Sequence, residues 1–151
     1  MKKFLFILFL ISCAGCVSVK IPRYLEDSST YLKKFYAPFE ETFAATQKTL
    51  QEQGWVISDT VDPAIYEQMA NYDSKRGKQT LIFTETRQTS LLLFSRYTNL
   101  NVYVRSLDSS STEVEIRYHS VTPLFFKSLK STKNDHFVDK LFELIAKSLE
   151  K

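Results

Sequence analysis

Leu100-Asn101-Val102-Tyr103-Val104-Arg105 and Glu113-Val114-Glu115-Ile116-Arg117-Tyr118-His119 stand either side of Asp108-Ser109-Ser110-Ser111-Thr112, and this stretch decides the fold. Both flanks alternate apolar and polar residues with period 2, the pattern of a half-buried strand. In the second, Val114, Ile116 and Tyr118 point one way, and Glu113, Glu115, Arg117 and His119 the other. Two such runs around a polar segment predict an antiparallel hairpin with one wet face.

Working upstream, Thr80-Leu81-Ile82-Phe83-Thr84-Glu85-Thr86 is rich in branched and aromatic residues and reads as another strand. Ser90 to Tyr97 contains Leu91-Leu92-Leu93-Phe94, an apolar run that predicts a strand buried on both faces. Tyr72 to Lys78 is a polar loop containing Gly77. Asp62 to Met69 reads as a short helix capped by Asp62, with an irregular strand as the alternative. Trp55-Val56-Ile57-Ser58-Asp59 is a strand leaving Gly54. Before it, Pro38 to Gln53 reads as a helix with Pro at its first position, acidic Glu40 and Glu41 at the positive end, and Gly54 as its left-handed stop. Phe39, Phe43, Thr46 and Leu50 form its stripe, broadened by Ala44. Lys34-Phe35-Tyr36-Ala37 is the first strand.

Downstream, Pro123 leads into Leu124-Phe125-Phe126 and a basic stretch, Lys127-Ser128-Leu129-Lys130. Asp135 to Leu149 is the clearest helix, with Phe137, Val138, Leu141, Phe142, Leu144, Ile145 and Leu149 on one face and Asn134 or Asp135 as cap. An antiparallel sheet with one wet face needs cover on the other, and the two amphipathic helices supply it. The expected fold is therefore α+β: a two-layer, curved antiparallel sheet packed on two helices, in the order β-α-β-β-β-β-α. A single domain over residues 34–151 suffices.

The N-terminus carries a different signal. Met1-Lys2-Lys3 precedes the unbroken apolar run Phe4–Ile11, then Ser12-Cys13-Ala14-Gly15-Cys16. The run is shorter than the ~20 residues of a membrane-spanning helix and fits the hydrophobic core of a secretory signal. Leu10-Ile11-Ser12-Cys13 resembles the lipoprotein signal motif, which places Leu three residues before an acylated cysteine. That resemblance implies a signal peptide over 1–12, lipidation at Cys13 and a tether over 13–33. Cys16, after Ala14-Gly15, is the alternative, with a signal over 1–15. A disulfide or redox pair is the competing reading of two cysteines at this spacing, but redox motifs sit at a strand-to-helix turn. The absence of Asp after either cysteine implies, for a Gram-negative source, export to the outer membrane. Val17 to Thr30 mixes Pro22, charges and serines without a period, and about 14 flexible residues would span roughly 20 Å. In the alternative, Ile21, Tyr24 and Leu25 pack on the domain as an arm.

Composition narrows the partners. At 44 % hydrophobic and 14 % aromatic residues, the chain can build a core. Both cysteines lie in the signal region, so the exported domain rests on packing without disulfides. Removing Lys2 and Lys3 from the 20 basic residues leaves 18 against 17 acidic ones, a formal +1. That balance gives no reason to expect nucleic acid as a partner.

Phe39…Phe43…Leu50-Gln51-Glu52-Gln53-Gly54-Trp55-Val56-Ile57-Ser58-Asp59 resembles the helix-to-strand unit of the helix-grip domains in BamC (NlpB)-type lipoproteins. Thr112-Glu113-Val114-Glu115-Ile116, with a closing helix carrying Leu141, Leu144, Ile145 and Leu149, is similar as well. Those proteins are accessory members of the outer-membrane protein assembly machinery. The resemblance implies a helix-grip fold and anchoring in the envelope, here with one domain where that family carries two.

Catalytic chemistry is not legible. A Ser-His-acid hydrolase needs a histidine base, and the chain has only His119, at the wet end of a strand, and His136, in the first turn of a helix. No His, Cys or carboxylate pair has metal-ligand spacing, and three glycines form no phosphate-binding loop. No metal and no cofactor are expected. Leu124, Phe125 and Phe126 beside Lys127 and Lys130 form an aromatic-basic cluster suited to a protein partner or a membrane surface. Its alternative is a loop plugging the open end of the sheet. The expectation is a non-enzymatic, lipid-anchored envelope protein whose periplasm-side domain binds another envelope protein. Alternatives are a binder of a hydrophobic ligand such as a lipid, needing a cavity between the layers, and an envelope hydrolase using two acidic residues.

Overall fold

Residues 20–26, 30–66, 77–91, 94–124 and 127–150 are described by the computed structural model of the chain. They form strand β1 (Thr30–Phe35), helix α1 (Phe39–Glu52), β2 (Ile57–Val61), a 3-10 turn (Pro63–Ile65), β3 (Gln79–Thr84), β4 (Arg87–Leu91), β5 (Phe94–Ser106), β6 (Thr112–Pro123), β7 (Ser128–Ser131) and helix α2 (Asp135–Leu149). The α+β class, the antiparallel sheet packed with two helices and the strand-helix-strands-helix order all match the sequence expectation, with more strands than foreseen.

The β5–β6 hairpin is the spine. Its partners run from Ser106 opposite Thr112 to Tyr97 opposite Val121. Each spine strand is long enough for two short strands to follow one another along its outer edge. On β5 these are β3, opposite Asn101–Arg105, and β4, opposite Phe94–Thr98. On β6 they are β1, opposite Thr112–Arg117, and β7, opposite Ser120–Pro123. β2 pairs with β3 and closes that edge, with an irregularity between Ile57 and Asp59. Near the β5–β6 turn the sheet is thus ordered β1-β6-β5-β3-β2. At its far end it narrows to β7, β6, β5 and β4.

Local chemistry sets the helix ends. At the C-terminus of α1, Gly54 has φ +77°. Its N–H donates to the Gln51 carbonyl, and the Trp55 N–H donates to Leu50, each at 2.9 Å. This reciprocal pair is the Schellman motif, and it turns the chain so that Trp55 enters the core beside Leu50. At α2, the Asn134 side chain accepts from the Phe137 N–H. Asp62 accepts from the Ala64 N–H, which starts the 3-10 turn; a short helical turn thus stands where sequence left helix and strand open, and residues 67–69 lie outside the described residues.

One face of the sheet packs on the helices. Ile82, Leu100, Val102, Val104, Val114 and Ile116 meet Leu50, Val138, Leu141, Phe142 and Ile145, all buried. Burying each such side chain contributes roughly 1.5–3 kcal/mol. The α2 stripe is as read. That of α1 differs: Ala44 is exposed, while Thr42, Ala45, Thr46 and Thr49 are buried with Phe39 and Leu50. The small residues let α1 approach closely, and the Thr46 hydroxyl donates to the Thr42 carbonyl at 2.7 Å, which makes its burial tolerable.

Several boundaries differ from the sequence reading, among them β2, which runs Ile57–Val61 and not from Trp55. β1 begins at Thr30, not Lys34, because it is held by pairing to β6 rather than by apolar content. Ser90 to Tyr97 is not one strand buried on both faces, since Leu91 of β4 pairs with Phe94 of β5 across a chain reversal. The stretch read as a connection after Phe126 contains β7, an edge strand whose exposed Leu129 and Lys130 hide the usual alternation.

Candidate functional site

The face expected to be wet is covered. Glu115 and Arg117 are 4 % and 5 % exposed, and Tyr103 between them is fully buried. The cover is residues 22–25, read from sequence as part of a tether; the packed-arm alternative holds there. The reason is hydrogen bonding from side chains far along the chain. Asn99 donates to the Pro22 carbonyl at 3.1 Å, and Asn101 donates to that of Arg23 at 3.0 Å. The Leu25 N–H donates back to Asn101 at 2.6 Å. Arg117 donates to the Leu25 carbonyl at 3.0 Å and to the Tyr24 hydroxyl at 3.1 Å. Arg23 pairs with Asp59 of β2 and lies 4.8 Å above the Phe83 ring. Tyr24 stacks on Tyr66 at 5.3 Å. A second, smaller core of Leu81, Phe83 and Tyr103 results, with Tyr24, Val61 and Tyr66 against it.

Charge in this layer is compensated within it. Glu115 bridges two guanidinium groups: it pairs with Arg105, and it accepts from Arg117 Nε at 2.6 Å. Arg105 also reaches Glu113 at 3.7 Å. Both guanidinium groups lie over the Tyr103 ring, at 4.6 and 4.2 Å, and the Tyr103 hydroxyl accepts from Arg117 at 2.8 Å. Burial by itself would lower the Arg117 pKa, but the adjacent Glu115 carboxylate outweighs it and holds the guanidinium above its ordinary value, permanently charged. Asn99, Asn101 and Arg117 thereby hold the arm on the sheet.

Among the described residues, surface clefts open on both faces of the sheet. The larger, about 400 Å³, lies between the arm and β6–β7, where Tyr24, Leu25 and Glu26 face Arg117, His119 and Thr132. Burial, and then nearby Lys130, lower the His119 pKa. Glu26 is the one carboxylate lining this cleft among the described residues. The smaller, about 190 Å³, opens on the helix side of the sheet, where β4 and β5 extend past the helices. Arg87 and Thr89 of β4 stand opposite Thr98 and Arg96 of β5, so all four share its wall. Trp55, Tyr118 and Phe137 supply aromatic surface, and Asn134 borders it.

Of the residues singled out from sequence, Cys13, Cys16, Phe125 and Phe126 lie outside the described residues. Leu124 is half-buried just past β6; its N–H donates to the Lys127 carbonyl at 2.7 Å. Lys127 is exposed, and Lys130 is exposed on β7 opposite Val121. Leu124, Lys127 and Lys130 sit at the narrow end of the sheet, with Lys130 close enough to His119 of the larger cleft to act on it. His136 is exposed on α2. Sequence reading passed over Arg87 and Arg96. The signal that would have found them is the β4–β5 hairpin, hidden by the apolar run at its reversal.

Among the described residues, no three His, Cys, Asp or Glu side chains are gathered as a metal site would need. No described helix is long and apolar enough to cross a membrane. Comparison with known protein families and with curated proteins finds no match to this chain.

Proposed function

We propose that this chain is a lipid-anchored, non-enzymatic protein of the outer membrane whose periplasm-side α+β domain binds another envelope protein. The observation that carries this reading is the docked arm. Going toward the N-terminus, its contacts step from Asn101 to Asn99 along β5, toward the narrow end of the sheet. Cys16 lies six residues before Pro22 and Cys13 nine. At ~3.3–3.6 Å per extended residue, an acyl group on either would sit within roughly 20–30 Å of the sheet. A fixed arm with so short a lead holds the domain close to its membrane in a set orientation. Lys127, Lys130 and the half-exposed Leu129 lie at that end, where cationic and apolar groups suit a headgroup surface.

Two experiments test the anchor and the partner separately. Intact mass of protein from its host membranes is expected to carry a diacylglyceryl modification at the N-terminus, and replacing both cysteines by serine is expected to release the protein from membranes. Undiminished membrane partition of that variant would remove the anchor. Pull-down from detergent-solubilised envelopes is expected to recover one stoichiometric protein, and reproducible recovery of none would remove the partner. Binding of a small ligand is the second reading: the arm-side cleft, on the face opposite the helices and not between the layers, has 400 Å³, within the usual ~300–1,000 Å³ of ligand sites.

A further inference from the structure

We infer that the 190 Å³ cleft on the helix side of the sheet receives a carboxylate attached to an apolar group, presented by a peptide segment of the protein that docks on this domain. This rests on the partner-binding reading above and supplies the chemistry of contact.

Arginine pairing sets this cleft apart. Arg23, Arg105 and Arg117 each have a carboxylate within salt-bridge distance. Arg87 and Arg96 pair with no carboxylate among the described residues, and both belong to this cleft. Among the described residues, no acidic one lines it. Cross-strand register makes the two arginines diagonal neighbours on one face of the β4–β5 hairpin, within reach of one bound group. A planar guanidinium matches a carboxylate through two parallel hydrogen bonds.

Arg87 is preorganised. It donates to the Gln53 carbonyl at 2.9 Å and lies 5.6 Å over the Trp55 ring. Arg96 is exposed and free to close on a ligand. Opposite them, the walls are Trp55, Tyr118 and Phe137, so the group behind the carboxylate meets aromatic surface. The volume equals about six waters at ~30 Å³ each. It admits a carboxylate with one side chain and is too small for an acyl lipid.

Trp55 is the only tryptophan in the chain, so its fluorescence comes from one position, at the wall of this cleft. Titration of the full chain in detergent micelles with N-acetylphenylalanine is expected to give a saturable change. Arg96→Gln is expected to weaken it at least about tenfold, as loss of a charge-assisted pair does. Thr89→Asp, which adds a like charge to the wall, is expected to do the same, and circular dichroism confirms that each variant is folded. The uncharged amide of the probe is expected to give no change. No saturable response, an equal response to the amide, full binding by both folded variants, or equal competition by inorganic phosphate would each overturn the inference. Probe binding without a recovered envelope protein would bring down the partner reading and leave the cleft; the reverse result would do the opposite.

Discussion

The two faces of the sheet are covered in opposite ways. The helix side is closed by two amphipathic helices over branched aliphatic side chains, and its stability is spread over many contacts. The other side is closed by a four-residue arm, two tyrosines and a buried Arg105–Glu115–Arg117 relay. There the cohesion is concentrated in a few directional bonds. An apolar face tolerates loss in proportion to what is removed, whereas an ionic layer depends on completeness.

The largest effect is therefore expected from a single atom group on the arm side. Glu115→Ala leaves two buried guanidinium groups without their shared carboxylate and should destabilise the fold by about 4 kcal/mol, as broken buried pairs do. The double replacement Glu115→Leu with Arg117→Met removes charge on both sides, and Arg105 keeps Glu113. It should cost clearly less than Glu115→Ala alone while freeing the arm. Urea unfolding of both variants checks the sign of this difference. Equal losses would mean that the layer behaves as ordinary packing.

On the helix side, Leu141→Ala should cost about 3 kcal/mol through lost burial and a residual cavity. The same urea series measures it, and the arm should remain docked. Smaller again is Asn101→Ala. It removes the acceptor for the Leu25 N–H and the donor to the Arg23 carbonyl, at about 1–2 kcal/mol. Hydrogen exchange at the Leu25 amide should accelerate far more than at Val102 in the neighbouring core. If both amides change alike, the arm is not a separable element.

These contrasts also mark what the sequence could reveal. Gly54 and Asn134 were legible because a cap is decided within a few residues. Alternation in β6 sorted its side chains correctly between two faces, yet it carries no information about what lies over each. Arg117 and Glu115 look like solvated charges until Pro22, Tyr24 and Leu25, some ninety residues earlier, are laid on them by Asn99 and Asn101. The β4–β5 reversal was missed because Leu91 to Phe94 contains none of the Gly, Asn, Asp or Pro that mark turns. With that hairpin unread, Arg87 and Arg96 had no reason to be considered together, and the cleft went with them.

The smallest effect separates the arm side from the β5–β6 turn by pH. The His119 pKa is lowered in the folded state by burial and by Lys130, with Arg117 and Glu26 the other charged groups in its cleft. The unfolded chain then binds a proton more readily, so the contribution of neutral His119 is complete above its ordinary value of ~6.5 and is lost as pH falls through it. Asp108 titrates in a separate window. Hydrogen bonds from the Ser111 hydroxyl and from the Ser110 N–H and hydroxyl hold it at about 2. Its contribution is complete above ~4 and fails only as pH falls toward 2. Urea midpoints at pH 7.5 and 5 should differ in the native chain and differ less in His119→Gln, while Asp108→Asn should leave that interval unchanged. A pH response over this range that survives His119→Gln would place the titrating group elsewhere than beneath the arm.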